Sequence, residues 1–138
     1  VLDGRGVTFY NDSKGTTGAS TITALESFSE PVVLIAGGKA KGQDFAPLAA
    51  AARGRVRHVV LLGEDRDKVR AALAGLGIGI EEAASMEAAV RAAAAAARPG
   101  DVVLLSPGCA SFDMFQNFEH RGEVFKAAVR ALLQGGTR

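Results

Sequence analysis

Val32-Val33-Leu34-Ile35-Ala36 is an unbroken apolar run. A strand with one wet face alternates apolar and polar residues. A continuous run of β-branched and leucine side chains instead suits a strand covered on both faces, as in a parallel sheet with helices on either side. His58-Val59-Val60-Leu61-Leu62 and Asp101-Val102-Val103-Leu104-Leu105 have the same character. Gly6-Val7-Thr8-Phe9-Tyr10 is a shorter strand candidate, and Ile78-Gly79-Ile80-Glu81 a weaker one. Helical spacing fills the intervals. The stretch from Thr16 places Ile22, Leu25 and Phe28 at three-residue steps, and 44–53 sets Phe45 and Leu48 on one face. In 65–76, Val69, Leu73 and Leu76 share a face, with Asp65 able to cap the start. The segment 86–98 is almost all alanine, and its small side chains let it lie close on a sheet. In 119–133, Val124, Ala128 and Leu132 repeat ahead of Gly135-Gly136, a common helix stop. Strands alternating with helices predict an α/β fold: a Rossmann-like three-layer domain with a mostly parallel sheet flanked by helices.

Composition narrows the class. The chain has 138 residues, 48% hydrophobic and 22% charged, which suits one domain with a real core and excludes disorder or a disulfide scaffold. Its apolar runs stay far below the roughly twenty residues that span a bilayer, so no membrane partner is expected. Sixteen Lys+Arg oppose fifteen Asp+Glu, aromatics are 6% and Trp is absent, which argues against a nucleic-acid partner. The single cysteine, Cys109, fits a reducing, cytoplasmic setting. Arg53, Arg55 and Arg57 read as a solvated patch at a helix end, where the dipole favours positive charge. His58 and His120 lack partners at metal-ligand spacing, so no metal site is expected. The chain opens on Val1-Leu2-Asp3 without a methionine or a signal pattern, which reads as a piece of something longer.

In open α/β sheets, ligands bind beyond the carboxyl ends of the strands. The unusual residues fall there. After the first strand comes Asn11-Asp12-Ser13-Lys14-Gly15-Thr16-Thr17-Gly18. After the second comes Gly37-Gly38-Lys39-Ala40-Lys41-Gly42-Gln43-Asp44. After the last comes Ser106-Pro107-Gly108-Cys109-Ala110-Ser111-Phe112-Asp113. Lysines, hydroxyls, glycines and the N–H groups of helix starts suit an anionic ligand. Each feature also has a plain reading: turn residues, N-caps, solvated lysines, a small buried cysteine, core phenylalanines. Neither G-x-x-x-x-G-K-[ST] nor G-x-G-x-x-G occurs, so the two common nucleotide-phosphate loops are excluded.

Asn11-Asp12-Ser13-Lys14-Gly15-Thr16 resembles the N-D-S-K-A-T motif of the Mur ligases that add D-glutamate in peptidoglycan synthesis. The run from Leu105 to Asp113, then Phe115, Asn117-Phe118-Glu119 and Arg121-Gly122, is similar to their L-S-P-A-C-A-S-x-D-x-F-x-N-F-E-x-R-G signature. Gly37-Gly38 with Lys41 and Asp44-Phe45 fits the glycine-lysine loop between them. Gly15 and Gly108 stand where alanine is usual, and Thr17 where asparagine is common. The likeness runs from about Gly6 to Leu133.

The resemblance implies that residues 1–138 are the carboxy-terminal, D-glutamate-binding domain, with the UDP-binding and central ATPase domains outside this chain. It implies a ligase of cell-wall biogenesis, and so of cell shape, division and cycle. ATP phosphorylates the carboxylate of UDP-N-acetylmuramoyl-L-alanine, and the amine of D-glutamate attacks the acyl phosphate. By the same resemblance Thr16, Lys41, Ser111 and the backbone at Phe112 and Phe118 hold the D-glutamate carboxylates. Lys14 is the catalytic cation, reaching the carboxylate and the transferring phosphate, and Asp12 lies on the nucleotide side. ATP and Mg2+ belong mainly to the central domain, against which this one packs. The fragment alone is expected to be inactive and to hold no cofactor tightly. The other reading is a stand-alone Rossmann-like anion-binding or regulatory module.

Overall fold

A computed structural model of the chain describes residues 2–4, 6–12, 18–37, 46–63, 66–105 and 118–135. Its elements are β1 (Leu2–Gly4), β2 (Val7–Asn11), α1 (Gly18–Glu26), β3 (Val32–Gly37), α2 (Ala46–Ala52), β4 (Val56–Leu62), α3 (Arg66–Leu73), β5 (Gly79–Glu82), α4 (Met86–Ala96), β6 (Val102–Leu105) and α5 (Phe118–Gly135). The sheet runs β1-β2-β6-β3-β4-β5. Only β1 is antiparallel, pairing Leu2 with Phe9 and Gly4 with Val7. The other four pairings are parallel.

The apolar runs are buried on both faces, as their lack of alternation requires. All six residues of β3 and all four of β6 are buried. Along β3, Val32, Leu34 and Ala36 face a layer containing Leu25, Leu48, Ala52, Val69 and Leu73, so α1, α2 and α3 cover this side. Val33 and Ile35 face the other side, where Met86, Ala89, Val90 and Ala93 of α4 meet Phe125 and Val129 of α5. Ala89 and Ala93 are fully buried, and the alanine helix rests directly on β3 and β4. Each fully buried Leu or Ile contributes roughly 1.5–3 kcal/mol by leaving water. Ser85 caps α4: its hydroxyl accepts from the N–H of Ala88 at 3.1 Å.

The strands fall where their sequences place them, with three differences of detail. β1 is an additional strand: Leu2-Asp3-Gly4 is too short to show a period and pairs only because β2 folds back on it. α3 ends at Leu73, short of Leu76, because Gly75 and Gly77 take φ of +88° and +74°, a region that glycine enters freely. In α5 the buried stripe is centred on Phe125 and Val129, with Val124, Ala128 and Leu132 packed beside it, and the helix includes Gly135.

The arginine patch also differs from a solvated helix end. Arg53 follows α2 and Arg55 donates to the Ala51 carbonyl at 3.2 Å, as expected of a helix terminus. Arg57 instead lies within β4. Its Nε donates to Asp101 Oδ2 at 3.1 Å, and its Nη2 to the same oxygen at 2.6 Å and to the Ala96 carbonyl at the end of α4. Asp101, 6% exposed, also accepts the Arg98 N–H at 2.9 Å. This network ties the end of α4 to β4 and to the start of β6, at the amino edge of the sheet. At the far end of the sheet, His58 Nε2 lies 2.8 Å from Glu81 Oε1, across the β4–β5 pairing.

Candidate functional site

Strand order decides where the three unusual segments meet. β2, β6 and β3 are consecutive in the sheet. Asn11 pairs with Leu105, and Leu105 pairs with Ile35, so the three strands finish nearly level. The segments 13–17, 106–117 and 38–45 leave from these neighbouring ends. The first and last lead to α1 and α2 on one face, and the middle one leads to α5 on the other. β6 is therefore a switch point: its connection departs to the opposite face from those of both its neighbours. In open α/β sheets such a divergence at the carboxyl edge is the usual ligand position.

Lys14, Thr16, Lys41, Ser111 and Phe112 lie outside the described residues, and so do Cys109, Phe115 and the capping residue Asp65. Phe118 is the first residue of α5, so its backbone N–H is one of the four at a helix start that have no partner inside the helix. Asp12 is half-buried, and its N–H donates to the Leu105 carbonyl at 2.7 Å. That bond extends the β2–β6 pairing one step past the strand. Gly37 closes β3 with φ of +120°, and a Cβ there would collide with the Leu62 carbonyl. Only glycine lets β3 turn off so close beside β4.

The neighbouring part of the same edge carries cations already committed to the fold. Glu82, at the end of β5, accepts from Arg66 Nε and Arg70 Nε, each at 3.0 Å. Those hydrogen bonds, with the charges behind them, hold the Glu82 carboxyl below the usual carboxylate range. Arg66 also donates to the Gly63 carbonyl at 2.9 Å. The β4–β5 end is thus an ion-paired border, beside the β2, β6 and β3 ends from which the segments 13–17, 106–117 and 38–45 depart. Among the described residues no three His, Cys, Asp or Glu side chains converge on a point, and no helix is long and apolar enough to cross a membrane.

One residue of the site region was assigned no role in the sequence: Arg121, 1% exposed in the first turn of α5. The signal lay in spacing. Arg121, Phe125 and Val129 follow at four-residue steps, so the arginine heads the stripe that faces the sheet.

The chain matches the family described as Mur ligase, glutamate ligase domain, over residues 1–109. It is 58% identical over 126 residues to the UDP-N-acetylmuramoylalanine--D-glutamate ligase of Ralstonia nicotianae, a match covering 91% of this chain and 25% of that protein. The proteins of the same name from Aromatoleum aromaticum and Nitrosospira multiformis are 54% and 52% identical, covering 92% of this chain and 27% of each. The chain thus spans about a quarter of the length of the curated relatives it matches. Among solved structures, the fold is similar to Thermotoga maritima MurF ligase in complex with ADP, with a TM-score of 0.53 and 16% identity over 95% of this chain and 30% of that one. It is also similar to Escherichia coli FolC in complex with ADP, with a TM-score of 0.55 and 17% identity over 88% of this chain and 28% of that one. The family match over residues 1–109 and relatives at 52–58% identity across nine-tenths of the chain place this chain in the Mur ligase family, as its glutamate ligase domain.

Proposed function

We propose that this chain is the carboxy-terminal, amino-acid-binding domain of an ATP-dependent ligase that joins D-glutamate to UDP-N-acetylmuramoyl-L-alanine in peptidoglycan synthesis. The observation that carries the reading is the 58% identity, across 91% of the chain, to a protein named for that reaction. In this reading the γ-phosphoryl group of ATP passes to the alanyl carboxylate. The D-glutamate amine attacks the acyl carbon, the C–N bond forms, and inorganic phosphate departs with the C–O bond's electrons. The ADP-bound relatives of the same fold support the nucleotide's part in it.

D-Glutamate carries two carboxylates, which need cations and N–H donors once they leave water. Lys41, Thr16, Ser111 and the N–H groups of Phe112 and Phe118 supply these at the β2–β6–β3 edge. Lys14 stabilises charge developing on the reacting carboxylate and phosphate. Asp12 marks the nucleotide side. Binding at a crevice between domains aligns amine and acyl phosphate, a large proximity effect. Mg2+ and most ATP contacts fall to a central domain outside this chain, and no step here is routed through a metal. The whole enzyme works in the cytoplasm, where its nucleotide substrates are. A stand-alone anion-binding module is disfavoured, because relatives that match nine-tenths of the chain carry a ligase name.

Phosphate release by the whole protein is the test. It is expected only when ATP, UDP-N-acetylmuramoyl-L-alanine and D-glutamate are all present, and the isolated chain is expected to release none. Equal turnover with L-glutamate, or release by the isolated chain that survives loss of Lys14 and Lys41, would sink the reading.

A further inference from the structure

We draw no further inference here: the strongest candidate, the half-buried face of β2 where Thr8 and Tyr10 lie opposite the α5-covered Val7 and Phe9 and Phe28 meets the Tyr10 ring, carries nothing, because nothing in the structure shows what covers it.

Discussion

Gly37 and Gly54 separate two reasons for a glycine. Both have positive φ, +120° and +79°. At Gly54 the space is open, so Gly54→Ala meets only the left-handed backbone penalty, about 1 kcal/mol. At Gly37 the obstacle is the Leu62 carbonyl, part of the β3–β4 ladder, which cannot swing aside like a side chain. Gly37→Ala is expected to cost more than about 3 kcal/mol or to prevent folding. Urea unfolding of the two variants checks this, and equal midpoints would show that β3 can turn off without a glycine. Gly79 lies between these cases. A Cβ there would stand 2.5 Å from His58 Nδ1, a side-chain atom rather than backbone.

Two element-scale contacts differ in what they stabilise. The Arg57–Asp101 network joins α4, β4 and β6 around a carboxylate that is 6% exposed. Asp101→Ala strands the Arg57 guanidinium and frees the Arg98 N–H, and is expected to cost about 1–3 kcal/mol, with Asp101→Asn costing less because it can still accept. Chemical denaturation of both variants measures the order. Glu82 bridges β5 to α3 on the surface, with its pKa below the usual 4.5 because Arg66 and Arg70 bond its charged form. A depressed carboxylate pKa adds stability that is fully present above 4.5 and fades as pH falls through the lower, folded value. Melting temperatures of wild type and Glu82→Gln should therefore differ by a small, constant amount above about pH 5.5 and converge toward pH 3. A gap that widens on acidification would contradict the assignment. Glu123, paired with Lys126 at 2.7 Å within α5, follows the same sign.

For the whole molecule, the β2–β6–β3 order turns three distant segments into one edge. The segments 38–45 and 106–117, which carry Lys41 and Ser111, lead to helices on opposite faces of the sheet, α2 and α5. In the whole enzyme, Lys41→Ala and Ser111→Ala are each expected to weaken D-glutamate use roughly ten- to a hundredfold while sparing ATP. Ser106, next to Leu105 at the strand exit, is expected to matter less. Titrating D-glutamate with the acyl-side substrate bound ranks them. Greater loss at Ser106 than at Ser111 would place the carboxylate nearer the sheet than proposed.

Local pattern in the sequence determined the parallel core: Val32 to Ala36, Val59 to Leu62 and Val102 to Leu105 lack alternation because both faces of each strand are covered. Motif spacing likewise picked out the loops and their family. What pattern reports is how wet each face is, not which strand lies alongside. The insertion of β6 between β2 and β3 joins Thr8 to Val102 and Val32 to Val102, pairings chosen by burial over long chain separations that leave no local trace. The hairpin strand β1 depends on β2 in the same way. Arg57 and Arg121 were legible only as charged residues. The hydrogen bonds of half-buried Arg57 to the end of α4 and the burial of Arg121 in the first turn of α5 came from tertiary packing, because a charge leaves water only where the fold delivers acceptors to it.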